Sequence, residues 1–171
     1  MDEPRWLDED EMTAWRSFIV TSTLLERCLD QQLKEAAGLS HPQYEILARL
    51  SDAPCGELRM SDLADLLLTS KSGLTYQIGR LEKAGLVSRR TCDSDVRGVV
   101  AALTDTGRER LRGAAPGHVA LVRELLIDVL DRDQLASLAA GLGQVGKRLR
   151  QDLHETSGAA TGAEIQLPEA T

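Results

Sequence analysis

Aromatic residues are scarce in this chain of 171 residues, which contains two tryptophans, two tyrosines and one phenylalanine. Proteins that bind single-stranded nucleic acid by stacking bases on aromatic side chains need more of them, so we do not expect that class. The three cysteines, Cys28, Cys55 and Cys92, are widely spaced and form no CxxC pair. We therefore expect neither a disulfide framework nor a cysteine-based zinc site.

Long apolar runs and a basic amino terminus are also missing. No charge-free apolar stretch approaches the roughly 20 residues of a membrane-spanning helix. The first eleven residues hold six carboxylates against one arginine, whereas a secretory signal begins with a positive charge. We therefore expect a soluble, cytoplasmic protein with no membrane partner.

Motifs of common catalytic folds are absent as well. The chain contains no GxSxG, no HExxH and no P-loop, so we expect it not to be an enzyme and to need no cofactor. His41, His118 and His154 show no metal-ligand spacing. This pattern is typical of surface or capping histidines and predicts no metal site.

Charge is distributed unevenly along the sequence. The whole chain carries 20 Lys/Arg and 27 Asp/Glu, a net charge of −7. Residues 59–112 alone contain ten Lys/Arg and seven Asp/Glu, a balance of +3 that leaves −10 for the remainder. A basic centre within an acidic chain favours a polyanionic partner, although many enzymes also have basic segments.

Helical periodicity dominates the first half of the chain. Apolar residues recur every three or four positions over 9–37, which predicts one long helix ended by Gly38. Three short helices are expected to follow, beginning at Ser40, Ser61 and Ser70, because each serine offers an N-cap hydroxyl.

The period changes after Gly85. Segments 86–90 and 98–103 read as two short strands joined by a polar, hairpin-sized connection. Two further helices are expected from Thr104 onward. Three helices followed by a hairpin are typical of a winged helix-turn-helix, so we expect a mainly α protein with a small β-hairpin wing.

The organisation predicted from these elements is one domain over residues 1–154. Within it, 40–104 forms the winged-helix lobe, while 9–37 and 105–154 are dimerisation helices. Their apolar stripes exceed what a small lobe can cover, which predicts a homodimer. The segment 155–171 has no periodicity and is expected to be a flexible tail.

The helix beginning at Ser70 has a polar outer face suited to DNA. Its first turn offers hydroxyls, an ammonium and backbone N–H groups at the positive end of a helix, where phosphate binds well. An ordinary solvated face would be preferred for this helix alone, but the preceding helix and the following basic hairpin reverse that preference. The candidate DNA-binding residues on this helix are Ser70, Lys71, Ser72, Thr75, Tyr76 and Arg80.

The hairpin supplies three further candidates, Arg89, Arg90 and Arg97. A guanidinium at the tip of a β-ribbon can enter the minor groove, where narrow A·T-rich DNA concentrates negative potential. Asp95 lies two residues from Arg97 and is expected to orient it by a charge-assisted hydrogen bond. The alternative is an exposed hairpin with a local ion pair, which contributes little to stability.

Several segments occur here in the order and spacing of MarR-type (multiple-antibiotic-resistance regulator) transcription factors, and the chain resembles that family over residues 10–150. These segments are Leu63-Ala64-Asp65, Ser70-Lys71-Ser72-Gly73-Leu74-Thr75, Arg80-Leu81-Glu82-Lys83-Ala84-Gly85-Leu86-Val87, Asp95-Val96-Arg97 and Leu103-Thr104-Asp105-Thr106-Gly107-Arg108. The resemblance implies a homodimer that binds a near-palindromic double-stranded operator, with the Ser70 helix as recognition helix and Arg97 at the wing. The family often has a second arginine beside the wing arginine, and Val96 stands there in this chain.

The resemblance also implies a cleft for a small aromatic or phenolic effector between the dimer helices and the winged lobe. Trp15, Ile19, His41 and Tyr44 are the candidate lining residues, because they combine apolar bulk with a few polar tips. The alternative is that these side chains simply pack the lobe onto the dimer helices.

The leading hypothesis is therefore a sequence-specific DNA-binding regulator, expected to be a repressor released by a small molecule. Two alternatives remain open. One is a thiol- or peroxide-sensing regulator of the same fold, although the family's sensing cysteine aligns near Arg16 and not with Cys28. The other is a winged-helix protein-interaction module, whose binding would lack the strong salt dependence of a DNA complex.

Overall fold

A computed structural model describes residues 3–92 and 95–160, with the backbone alone at residues 92, 95–97 and 153–160. The helices and strands in these residues are α1 (Glu9–Ala37), α2 (His41–Asp52), β1 (Glu57–Arg59), α3 (Met60–Leu66), α4 (Lys71–Lys83), β2 (Val87–Cys92), β3 (Asp95–Leu103), α5 (Asp105–Val122) and α6 (Arg132–Ala160). The chain divides into two compact units, Met1–Leu125 and Leu126–Thr171. The first unit contains α1–α5 and the sheet, and the second contains α6. The mainly α winged-helix fold predicted from the sequence is confirmed.

Local signals fix the ends of the first two helices. Asp8 and Glu11 form a capping box at the start of α1, and Gly38 ends the helix with a φ of +67°. Ser40 and Gln43 form a second capping box at the start of α2, with Pro42 in the first turn. These side chains satisfy backbone N–H groups that have no partner within a helix.

The core of the winged lobe is assembled from one face of each helix and from the sheet. Its buried members are Leu39, Ile46, Leu47, Leu50, Leu63, Ala64, Leu74, Ile78, Leu81, Leu86, Val87 and Ala101. A smaller cluster of Leu33, Tyr44 and Ala114 joins α1, α2 and α5. The helix α2 therefore contributes to both clusters and connects the lobe to the long helix.

The sheet has three antiparallel strands in the order β1–β3–β2, whereas the sequence predicted only two. The missed strand is β1, whose residues Glu57, Leu58 and Arg59 pair with Ala102, Ala101 and Val100. Three residues are too few to show a period, and their pairing partner is distant in the sequence. The strand therefore forms because tertiary packing brings β3 beside it.

The terminal helix is longer than the sequence predicted. The helix α6 runs to Ala160, six residues beyond position 154, where the sequence placed the start of a flexible tail. Alanine, serine and threonine continue the last turns here, and the first proline of this segment is Pro168. Residues 161–171 lie outside the described residues. No helix in the described part of the chain combines the length and apolar character needed to cross a bilayer.

Candidate nucleic-acid interface

The turn between α3 and α4 fixes the position of the candidate recognition helix. Leu68 adopts a left-handed conformation with a φ of +50°, which costs a non-glycine residue about 1–2 kcal/mol. The next amide, Thr69 N–H, donates to the Ala64 carbonyl over 3.1 Å. This hydrogen bond closes the end of α3 and sends the chain directly into α4, which gives the helix-turn-helix.

The helix α4 buries one face and exposes the other. Leu74, Ile78 and Leu81 are at most 1% exposed and pack into the lobe core. The opposite face holds the exposed residues Lys71, Ser72, Thr75, Tyr76 and Arg80. Tyr76 is the aromatic residue of this face and is 62% exposed. Six of the nine candidate DNA-binding residues therefore lie at the start or on the outer face of one helix, because Ser70 is its N-cap.

The amino end of α4 has the features of an anion-binding site. The Ser70 hydroxyl oxygen accepts a hydrogen bond from Gly73 N–H over 3.1 Å, and it lies 3.3 Å from the Ser72 hydroxyl. The first amide groups of a helix have no carbonyl partner within it, and the helix dipole makes this end positive. Lys71 adds a full charge at the same end. A phosphate group can therefore be held here by amide, hydroxyl and ammonium groups together.

Thr75 is held in one orientation on the outer face. Its hydroxyl donates to the Lys71 carbonyl over 2.7 Å, so the side chain is tied to its own helix. Gly79, one turn further along, has no heavy atom within 4 Å of the position a Cβ would take. The outer face therefore has no side chain at Gly79 and is open there, which permits close approach to a DNA groove.

Arg89 and Arg90 do not lie on the same face of the wing, because successive residues of a strand point to opposite sides of the sheet. Arg89 binds Glu82 of α4 through Nε at 3.0 Å and through Nη2 at 2.5 Å. Arg90 binds Glu57 of β1 through Nη2 at 2.6 Å. Hydrogen bonding from Arg89 lowers the pKa of the Glu82 carboxyl. Both cations thus have carboxylate partners within the lobe.

Arg97 and Asp95 lie in β3, but their side chains fall outside the described residues. Their predicted roles therefore rest on the backbone position alone. The strand that carries them borders the amino end of α4, where a depression of about 320 Å³ is lined by Lys71, Thr75, Gly98 and others. Gly98 of β3 and the amino end of α4 thus border the same depression.

The four candidate effector residues differ in burial and surroundings. Trp15 is 54% and Ile19 is 40% exposed on α1, whereas Tyr44 is buried in the small cluster with Leu33. His41 is the one of the four that lines the cavity of about 400 Å³ between α2, α3 and α4.

Two histidines that looked unrelated in the sequence meet in the structure. The ring centroids of His41 and His118 are 5.6 Å apart, because α2 and α5 pack together. Spacing could not reveal this pair, since the two residues are far apart in the chain. The sequence gives one local hint that polar groups gather here, because Glu45 lies one helical turn after His41 and therefore on the same side of α2. The side chain of His154 lies outside the described residues.

The family of this chain follows from comparison with known proteins. The MarR family model matches residues 39–99, which span α2 through most of β3. The regulator PecS of Dickeya dadantii is 31% identical over 145 residues, covering 84% of this chain and 86% of PecS.

Two solved structures from Streptomyces coelicolor share the fold. Sco3205, a MarR family transcriptional regulator solved in complex with DNA, is 45% identical with a TM-score of 0.84, covering 87% of this chain and 93% of its own. AbsC, another MarR family transcriptional regulator, is 42% identical with a TM-score of 0.83, covering 86% of this chain and 99% of its own. Sequence similarity and fold thus agree that this chain belongs to the MarR family.

Proposed function

We propose that this DNA-binding transcriptional regulator acts as a homodimeric repressor, which a small ligand releases from a near-palindromic operator. The observation that carries the proposal is the outer face of α4, where small polar side chains and an uncovered helix amino end lie together. The related Sco3205 was solved in complex with DNA, which supports DNA as the partner of this chain.

Contacts to the DNA backbone and contacts to the bases are assigned to different residues. Ser70, Lys71 and Arg80 hold phosphates, because amide, ammonium and guanidinium groups bind phosphate without reading sequence. Ser72, Thr75 and Tyr76 face outward between them and read base edges in the major groove.

The wing completes the interface. Arg97 enters the minor groove with Asp95 directing its guanidinium. Arg89 and Arg90 contribute to the positive potential of the wing, and each would need to exchange a carboxylate partner for a phosphate to bind DNA directly.

Exposed apolar side chains support the homodimer. The first unit leaves Trp15, Phe18 and Ile19 at 40–54% exposure on α1. In the second unit, Leu142, Val145 and Leu149 of α6 are 44–57% exposed. Each row needs an apolar cover, and a second copy of the chain related by a two-fold axis supplies it. Sedimentation as a monomer at micromolar concentration would contradict this assembly.

Release from DNA requires a ligand that binds more tightly to a conformation in which the two recognition helices are wrongly spaced for the operator. The proposed ligand is a small aromatic or phenolic compound bound near His41, where the cavity of about 400 Å³ lies. A tenfold loss of DNA affinity corresponds to about 1.4 kcal/mol of coupling, and DNA must weaken ligand binding by the same factor.

Selection of genomic fragments with the purified protein, followed by footprinting, tests this function. We expect protection of two half-sites about one helical turn apart. If every fragment binds like random DNA at all salt concentrations, the proposed function is wrong. Binding that lacks salt dependence would favour the protein-interaction module instead.

A further inference from the structure

Three potential metal ligands from two helices meet beside the amino end of α2. His41 and Glu45 lie one turn apart on α2, and His118 comes from α5. One ligand atom from each residue lies within 4.8 Å of the other two, and all three residues are partly buried. We propose that these side chains form a binding site for a divalent transition-metal ion of the zinc type.

Glu26 of α1 orients the first ligand. Its Oε2 lies 2.7 Å from Nδ1 of His41, within hydrogen-bond distance. When Nδ1 donates to this carboxylate, the neutral ring presents the lone pair of Nε2 to its other side, where Glu45 Oε1 lies 3.9 Å away. A carboxylate behind a histidine is the usual means of fixing the tautomer and direction of a metal ligand.

His118 supplies the second imidazole. Its Nδ1 is buried and has no hydrogen-bond partner among the described residues. Burial, together with the nearby His41, lowers the pKa of His118. An unsatisfied buried nitrogen destabilises the fold, and a metal ion or its bound water would satisfy this side chain.

Two imidazoles and a carboxylate favour zinc and its first-row neighbours over magnesium or calcium. In a tetrahedral zinc site the ligand atoms are about 3.3 Å apart, so the side chains must close in by about 1.5 Å relative to the 4.8 Å spread. Glu45 can make this movement, because its ion pair with Arg49 is loose at 3.7 Å. Water would take the fourth position.

The site also has a route to the DNA-binding helix, an inference that rests on the proposed function. On its other face α2 carries Ile46 and Leu47, which share a core cluster with Leu74 and Ile78 of α4. A metal that holds α2 against α5 therefore acts on an element packed against α4. Operator affinity is expected to change by about tenfold between the metal-free and metal-bound protein.

Titration of untagged, full-length protein with Co²⁺ and Zn²⁺ tests the site, with visible d–d absorption and calorimetry as readouts. We expect one equivalent per chain with tetrahedral cobalt bands. His118→Ala and Glu45→Gln should each weaken binding on the order of 100-fold, and Glu26→Gln by about 10-fold with the stoichiometry kept. His154→Ala and Cys28→Ser are the matched controls and should bind like the parent. Circular dichroism confirms that each variant is folded, and Glu45→Gln keeps the test decisive if His118→Ala does not fold.

Absence of saturable binding at micromolar metal would overturn the site and leave only the contacts of His41 with Glu26 and Glu45. Equal binding by His118→Ala, Glu45→Gln and the parent would overturn it too. Operator affinity with and without metal is measured separately. Metal binding without an effect on DNA would retain the site and reject its coupling, whereas failure of both the metal-free and the metal-bound parent to bind any operator would reject the proposed function alone.

Discussion

The helices α2 and α4 start alike and serve different purposes. They are 12 and 13 residues long, and each begins with a serine that caps its first turn. In α2 five residues are buried, including the polar Gln43, because α1 and α5 cover one side and the lobe core covers the other. In α4 only Leu74, Ile78 and Leu81 are buried.

Capping side chains thus determine where a helix begins, but they do not determine whether its first turn is covered by other residues or exposed to a ligand. At α2 the first turn is occupied, since His41 N–H donates to the Asp30 carboxylate over 3.0 Å. Lys34 and this amide together lower the pKa of Asp30. At α4 the first turn faces solvent, so its positive end remains accessible to an anion.

The largest effect is expected where α5 begins against the end of α4. A Cβ at Gly107 would lie 2.1 Å from the Leu86 carbonyl oxygen, so Gly107→Ala should destabilise the protein by about 3 kcal/mol or more. Gly79→Ala is the matched control on α4, where the added methyl meets nothing within 4 Å, and it should stabilise by about 1 kcal/mol. Urea unfolding measures both, and equal stabilities would show that this corner is not tightly packed.

The next largest difference is expected when a cation is removed from each helix in turn and DNA binding is compared. Lys71→Ala removes a charge at the amino end of α4 and is expected to weaken operator and random DNA alike by about tenfold, with a salt slope lower by about 1. Arg49→Ala on α2 removes a cation that pairs only loosely with Glu45, and DNA binding should not change. Fluorescence anisotropy at several salt concentrations gives both values. Identical losses would mean that α4 is not the phosphate-binding helix.

Replacing each capping serine separates an effect on stability from an effect on DNA binding. Ser40→Ala and Ser70→Ala should each destabilise the fold by about 1 kcal/mol, because each leaves a first-turn amide without its acceptor. Only Ser70→Ala should also weaken operator binding, by several-fold at a temperature where both variants are fully folded. If Ser40→Ala reduces affinity equally, the effect belongs to lobe stability and not to the open end of α4.

The smallest effect is expected at the wing. Arg89→Ala should reduce DNA affinity by less than Lys71→Ala, since Arg89 is already engaged with Glu82. Without Arg89 the pKa of the Glu82 carboxyl should rise from its lowered value toward the ordinary 4.5. Carbon-detected NMR titration follows that carboxyl directly. An unchanged Glu82 titration would indicate that the ion pair does not form in solution.

Much of the fold could be predicted because its signals are local. The boundaries of α1 and α2 follow from Gly38 and from the capping box of Ser40 and Gln43, which act within one helical turn. The strand β1 could not be predicted, since its three residues form a strand only where β3 passes beside them. The end of α6 at Ala160 could not be predicted either, because residues 155–160 have no apolar period and Gly158, a potential stop signal, does not interrupt the helix.

The features of the candidate site also divide into those set by local sequence and those set by tertiary packing. The sequence by itself determined that a capped, polar-faced helix precedes a basic hairpin, since charge, period and caps are properties of neighbouring residues. Only the tertiary structure decided that Arg89 binds Glu82 and that His41 lies beside His118. Those contacts join separate elements, and helix packing, which no local pattern encodes, sets the distances between them.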